Sequence, residues 1–333
     1  MSSKSSTHFF HNVYVQSTGT CAGPMEHTGP LGSYFDVYFD DLYCHQKTFE
    51  KGEREMQKVA INSCLQKAKK KPNDIDLILG GDLTNQITAT SYTAAKYPVP
   101  YIGIYGACSS SCLSMGVSSM LIESNYFSSV LAFVSSHNAT AERQYRYPLE
   151  YGIQKPETTT YTATGAGAIL LSNQPSDIRI EAVTFGKVID FKQTNVNDMG
   201  RAMAPAAYDT LKQHFTDTNR DFNSYDLIVT GDLSDYGKKI LTKMFEEDNM
   251  EVNHYNDCGT LLYDIEKQDV FLGGSGCACS ALVTYGYIMD QLRQKKWKKV
   301  LIVATGALMS PITIMQKESV PSIAHAISLE VCD

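Results

Sequence analysis

IDLILGGDLTNQ (residues 75–86) and YDLIVTGDLSDY (residues 225–236) are similar stretches of one chain that begin 150 residues apart. In each, the apolar run after the first Asp predicts a buried strand. The Gly-Asp-Leu-Thr or Gly-Asp-Leu-Ser that follows is typical of the turn leaving such a strand. The chain therefore contains an internal repeat, and the repeat indicates how the whole molecule is built.

Two further pairs of stretches extend the repeat. Residues 105–136 and 275–306 lie 170 residues apart, and each has a Gly- and Cys-rich turn, a helical segment and a strand. TATGAGAILLS from Thr162 and PSIAHAISLE from Pro321 predict two edge strands of small residues. The second half has about 20 extra residues within residues 252–274, whose alternating pattern predicts a hairpin.

The alternation of elements predicts an α/β fold with parallel sheets and helices on both faces. The helices that follow Cys108 and Gly276 are rich in small residues, which suit two helices packed closely between two sheets. We predict a five-layer α/β/α/β/α sandwich with an N-terminal half (residues 1–175, with capping segments) and a C-terminal half (residues 176–333). The alternative is a chance likeness of two βαβ units within one doubly wound sheet.

Several segments lie outside the repeated core. Residues 16–50 have many Gly, Pro and aromatic residues and predict an irregular cap. Residues 51–72 predict an amphipathic helix, which a helix beginning near Asp198 matches in the second half. Residues 137–160 predict a long polar loop, of the kind that often carries function.

The composition argues against some classes of protein. The net charge of -7 argues against a nucleic-acid-binding protein, which normally carries a basic face. The nine cysteines are scattered and none has zinc-site spacing, so we expect an intracellular protein with reduced thiols and no metal site. The N-terminal residues include no apolar segment of secretory length, and no stretch reaches the roughly 18 apolar residues of a membrane span.

Cys108 and two aspartates are the first candidates for a site. Cys108 lies in a turn between a predicted strand and a long helix, where the helix dipole favours a thiolate or a bound anion. The alternative is a buried structural cysteine. Asp82 and Asp232 occupy equivalent places in the two halves, either as pocket residues or as caps of the turn or helix that follows.

The motifs of the chain resemble those of the thiolase superfamily, which includes β-ketoacyl-ACP synthase III. The resemblance rests on Gly-Ala-Cys-Ser at residues 106–109, on TGAGAILL from Thr164 and on GGSGCACSA from Gly273. GTCAGPMEHTGPLGSYFD, SSHNATAERQYRYPLEYGIQKP and MQKESVPSIAHA are more specific and resemble the stage V sporulation protein AD family over nearly the whole chain. The fold that both resemblances imply is the thiolase-like sandwich.

The closer resemblance implies a function in sporulation. Its members belong to a channel complex that moves dipicolinic acid, as its calcium chelate, into the developing spore, and are thought to bind the acid directly. It implies a protein peripheral to the spore inner membrane, with the other complex subunits as partners and with no cofactor. A homodimer is expected by analogy with the superfamily.

The chain departs from the condensing enzymes of this superfamily, which need a Cys, a His and an Asn. Where the resemblance places the His, this chain has Gly231 and Asp232, and where it places the Asn it has Ser275 and Gly276. Only Cys108 remains, and without donors for the developing oxyanion acyl chemistry loses much of its stabilisation. We therefore expect no enzyme activity. The alternatives are an acyltransferase or condensing enzyme that uses Cys108, and a structural adaptor with a vestigial pocket.

A planar dianion such as dipicolinate needs cationic or N–H donors for its carboxylates and an apolar or aromatic surface for its ring. We expect the donors from the head of the Cys108 helix and from Arg143, and the ring surface from Tyr145 and Tyr147. The alternative is a loop held by its own salt bridges and hydrogen bonds. The predicted ligand-binding residues are Cys108, Asp82, Ser136, His137, Asn138, Arg143, Asp232, Ser275 and Cys277.

Overall fold

The computed structural model describes residues 5–332, so the first four residues of the N-terminal stretch lie outside it. The strands are β1 (Thr7–Phe9), β2 (Tyr14–Ala22), β3 (Val37–Tyr38), β4 (Leu77–Gly81), β5 (Tyr101–Gly103), β6 (Ser129–Ser136), β7 (Tyr161–Thr162), β8 (Gly165–Ser172), β9 (Ile178–Phe185), β10 (Leu227–Thr230), β11 (Tyr255–Asp257), β12 (Gly274–Ser275), β13 (Lys299–Ala307) and β14 (Ser322–Val331). The helices are α1 (Pro24–His27), α2 (Phe49–Lys67), α3 (Thr88–Ala94), α4 (Ser110–Glu123), α5 (Asn138–Tyr145), α6 (Met199–Thr218), α7 (Ser234–Glu247), α8 (Cys258–Leu262), α9 (Cys277–Leu282), α10 (Met289–Arg293) and α11 (Pro311–Met315), with a π-helical turn over Val283–Ile288 that joins α9 to α10.

The two halves repeat one order of strands. The first half runs β2-β8-β6-β4-β5 and the second runs β9-β14-β13-β10-β11. If the five strands of each half are numbered in chain order, both halves have the spatial order 1-5-4-2-3. The two halves meet where β2 pairs with β9, which joins them into one 12-stranded sheet. The proposed division after residue 175 falls between β8 and β9.

The small-residue strands β8 and β14 are central, which corrects the prediction that they lie at sheet edges. β8 pairs antiparallel with both β2 and β6, and β14 pairs antiparallel with both β9 and β13, so each half is mixed rather than parallel. Every residue of β8 is buried. A continuous apolar run with both faces covered is typical of a central strand. The position of β8 as the last strand of its half in the sequence therefore does not make it an edge strand.

The five predicted layers are present. α2 packs on the outer face of the first-half sheet, and α6 packs on the outer face of the second-half sheet. The middle layer contains α4 and α9, which contact each other and the inner faces of the sheets. Their small residues allow this close approach: the hydroxyls of Ser111 and Ser280 are 2.7 Å apart, and a Cβ on Gly116 would lie 2.7 Å from Val183.

Three predictions for the outlying segments are wrong. Residues 16–50 are not wholly irregular, because β2 continues to Ala22 and its polar residues bond to helix backbones; Ser17 donates to the Cys64 carbonyl at 2.8 Å. Residues 252–274 form no hairpin, since β11 joins the second-half sheet and β12 pairs with β7. The polar segment that begins at His137 is not simply a loop, because it contains α5. Over residues 5–332, no helix is both long and apolar enough to cross a membrane.

Candidate ligand-binding site

Cys108 lies in a tight turn between β5 and α4. The preceding Ala107 has φ 49, a left-handed conformation that is uncommon outside glycine and often marks a functional or strained position. The Ala107 carbonyl accepts a bond from the Cys277 thiol at 3.1 Å, from the head of α9. The turn therefore places the heads of the two central helices against each other, with Cys108 between them.

The carboxyl group of Asp232 lies beside the Cys108 thiol. It accepts bonds from the Gly276 N–H at 3.0 Å, from the Ser275 hydroxyl at 3.2 Å and from the Thr305 hydroxyl at 2.6 Å. Burial, and then the charge of Asp232, raise the pKa of Cys108 well above its usual value. The expected thiolate is therefore not favoured, because desolvation and a neighbouring carboxylate outweigh the helix dipole.

Cys108 should accordingly be slow to react. In the native protein, iodoacetamide is expected to modify the partly exposed Cys332 well before Cys108, which is 6% exposed. Replacing Asp232 by Asn removes the negative charge beside the thiol, so the pKa of Cys108 should fall and its alkylation should accelerate. Peptide mass spectrometry over a pH series measures both. Rapid alkylation of Cys108 at pH 7 in the unmodified chain would contradict this account.

The space beside the Cys108 thiol is small. Cys108, Ser275, Tyr145 and Arg146 line a cavity of about 20 Å³. A single water needs roughly that much room, so a pyridine dicarboxylate cannot enter it unless side chains move. Among the predicted site residues, the structure brings Cys108, Asp232, Ser275 and Cys277 together here.

A larger cavity of about 380 Å³ shares Tyr145 and Arg146 with this small one. Its walls come from residues 145–156, from Val196 and from α11. Sites for small organic ligands commonly have volumes of about 300–1,000 Å³. We call it the Arg146 cavity.

Three charged side chains stand at this cavity. Arg146 and Lys155 each form an ion pair with the Glu142 carboxylate, at 3.3 and 3.2 Å. The side chains are 8% exposed for Arg146, 1% for Glu142 and 22% for Lys155. Within the described chain no acceptor bonds Nη1 of Arg146. The group therefore carries one net positive charge and an uncommitted guanidinium donor, which suits an acidic ligand.

Ser136, His137 and Asn138 bond to the protein itself. The Ser136 hydroxyl donates to the Ala163 carbonyl at 2.7 Å and accepts from the Ala278 N–H at 3.1 Å. His137 caps α5, its Nε2 bonds the Leu42 carbonyl at 2.7 Å, and burial lowers its pKa to about 4. Asn138 donates to the Thr162 carbonyl at 3.3 Å. The bonds of His137 and Asn138 fix the start of α5, whereas those of Ser136 hold the head of α9. None of the three residues lines the Arg146 cavity.

Asp82 and Arg143 do not line the small cavity beside Cys108. Asp82 accepts bonds from Thr84 and Thr90, as a residue that caps the following turn and helix does. Arg143 forms an ion pair with Glu50 and lines a separate cavity. The predicted residue set also omitted Arg146 and Lys155. Arg146 is visible in the sequence three residues after Arg143. That spacing alone does not show which of the two arginines lines which cavity.

The chain is similar in sequence to known proteins over nearly its whole length. The family model described as stage V sporulation protein AD matches residues 3–330. Stage V sporulation protein AD of Bacillus subtilis (strain 168) is 51% identical over 323 residues, which cover 97% of this chain and 95% of that protein.

Solved structures show the same fold at low identity. The 3-oxoacyl-[acyl-carrier-protein] synthase III of Aquifex aeolicus superposes with a TM-score of 0.58 at 13% identity, over 96% of this chain and 99% of that one. Cerulenin-bound OleA of Xanthomonas campestris gives 0.60 at 12% identity over 100% of both chains. The synthase III of Pseudomonas aeruginosa gives 0.60 at 10% identity, over 97% and 99%. These likenesses confirm the thiolase-like fold.

Proposed function

Because this chain belongs to the stage V sporulation protein AD family, we propose that it binds dipicolinic acid, free or as its calcium chelate, without transforming it. It acts as a peripheral subunit of the membrane complex that loads the acid into the forespore. The observation that carries the proposal is the Arg146 cavity, which combines a volume of about 380 Å³ with a buried, partly uncommitted guanidinium.

The cavity suits a planar aromatic acid. A guanidinium recognises a carboxylate through two parallel N–H bonds, and Arg146 and Lys155 are the cations at hand. Tyr145 and Tyr147 line the same cavity and offer ring surfaces to a pyridine. Together with Glu142, the two cations leave one net positive charge at the cavity. This charge is too small to neutralise the free dianion, whereas the calcium chelate is neutral and needs no further cation from the protein.

The chemistry around Cys108 favours binding over catalysis. Asp232 and Ser275 occupy the places where the resemblance puts the His and Asn of condensing enzymes. Asp232 raises the pKa of the thiol instead of lowering it, so the side chain at this place does not activate Cys108. An acyl transfer that uses Cys108 would therefore begin from a poor nucleophile.

Partners and location follow from the family and remain part of the proposal. Exposed apolar side chains, among them Tyr147, Tyr151, Ile312 and Met315, lie around the Arg146 cavity or on the same segments. Such surfaces suit contact with other subunits at the spore inner membrane. β5 ends the first-half sheet and, in the part of the chain described, has a strand on one side only, which suits the expected homodimer.

Isothermal titration calorimetry of the purified chain tests the proposal. We expect saturable binding of dipicolinate and of its calcium chelate, and weaker binding of pyridine-2-carboxylate, which has one carboxylate fewer for the cations. In parallel, incubation with acyl-CoA and intact-mass measurement should show no adduct on Cys108. A stable acyl adduct would support the acyltransferase alternative. If neither form of dipicolinate produces binding heat, the structural adaptor is the alternative that fits.

A further inference from the structure

A second cavity, of about 440 Å³, lies on the other side of α5. α2, the loop from β4 to α3 and α5 form its walls, and Arg54 and Arg143 are its two cations. We propose that this cavity, which we call the polar cavity, binds a small hydrophilic ligand through a phosphate or carboxylate group. It is a site separate from the Arg146 cavity.

Arg54 is the strongest reason for this proposal. The Cζ atom of its guanidinium lies over the ring of Tyr92, 3.9 Å from the ring centroid. Its Nε is buried, and no residue from 5 to 332 accepts a hydrogen bond from this side chain. Stacking fixes the plane of a guanidinium and leaves the in-plane N–H donors for an oxyanion. Because buried donors are nearly always bonded, the unpaired Nε–H of Arg54 indicates a ligand.

The remaining lining groups favour an anion. Glu50 is paired with Arg143, so the two arginines leave one net positive charge. The hydroxyl hydrogens of Thr84 and Thr88 are donated to Asp82 and to the Asn85 carbonyl. The guanidiniums are therefore the main donors that face the polar cavity, and guanidiniums match carboxylate and phosphate geometry.

The segment between the lining residues Asn85 and Thr88 has a strained backbone conformation. Gln86 and Ile87 have φ of 53 and 47, two consecutive left-handed residues. This conformation is an outlier for a β-branched residue such as Ile87. Strain of this kind concentrates at ligand clamps and switch regions, where the surrounding structure over-determines the backbone.

The faces of α5 separate the two cavities. Thr140, Arg143 and Gln144 line the polar cavity, whereas Glu142, Tyr145 and Arg146 line the Arg146 cavity. Dipicolinate at the Arg146 cavity should therefore leave the polar cavity accessible, and the test below does not depend on whether dipicolinate binds.

Calorimetry with pyrophosphate and with citrate tests the polar cavity and distinguishes phosphate from carboxylate recognition. We expect saturable binding of at least one, roughly tenfold or more weakened by Arg54→Gln, because a charge-assisted bidentate pair is lost. Asn85→Asp, which adds a negative charge at the cavity without altering Arg54, should also weaken it. Arg201→Gln is the matched control, since Arg201 also lies over a tyrosine, Tyr236, and lines neither cavity.

Three results would overturn the proposal. The first is that neither pyrophosphate nor citrate binds. The second is that Arg54→Gln and Asn85→Asp both bind as well as the unmodified chain. The third is competition between dipicolinate and the bound anion, which would mean that one site serves both.

Discussion

Replacing Asp232 by alanine is expected to destabilise the folded protein by about 3–5 kcal/mol. Three donors would lose their acceptor: the Gly276 N–H and the hydroxyls of Ser275 and Thr305. All three residues are buried, and an unpaired buried donor costs about 1–3 kcal/mol. Urea denaturation followed by circular dichroism measures the loss.

Asp235→Ala provides the control for this substitution. Asp235 lies three residues further on, in the first turn of α7, and its side chain forms an exposed ion pair with Lys239. Its removal should change the free energy of unfolding by no more than about 0.5 kcal/mol. If the two variants unfold at the same urea concentration, Asp232 is not the structural centre that its bonds indicate.

The Asp232 result would also show how the heads of the central helices are held in place. A carboxylate at this position organises the head of α9 and holds Ser275, Gly276 and Thr305 in one network. The same carboxylate raises the pKa of Cys108. Asp232 therefore stabilises the head of α9 and at the same time lowers the reactivity of the Cys108 thiol.

The sequence repeat was sufficient to predict the layers of this fold but not the order of its strands. Periodicity identifies β4 and β10 because their apolar runs are unbroken, and small residues identify the central helices. It does not reveal which strand lies beside which, so β8 was placed at an edge. β2 was missed because Ser17, Thr18 and Thr20 are polar yet buried, with acceptors that come from distant helices and loops.

The candidate site shows a similar limit. Cys108, Ser275 and Cys277 could be predicted together because the repeat aligns the heads of the two central helices. Asp232 could be added because the resemblance to condensing enzymes places it beside them. The sequence does not assign Arg143 and Arg146 to separate cavities. Its polar pattern predicts a loop there, and only a helix gives its residues defined faces. Cavity volume is a property of packing among distant segments, so the small space beside Cys108 was beyond any local pattern.

Replacing Arg146 by glutamine is expected to weaken dipicolinate binding by roughly 10- to 100-fold, since hydrogen bonds to charged groups contribute about 1.5–3 kcal/mol. Calorimetry at constant ionic strength measures the change. Arg146→Lys should recover only part of the affinity, because an ammonium is a point charge without the paired N–H donors of a guanidinium.

Arg179→Gln is the control, since Arg179 pairs with Glu330 on the β9–β14 strands, outside the Arg146 cavity. Arg146→Gln also removes one of the two cations beside Glu142, so circular dichroism must first show that the variant is folded. If a folded Arg146→Gln protein binds dipicolinate with an affinity within twofold of that of the unmodified chain, dipicolinate binds elsewhere. The Arg146 cavity is then not a site for this acid.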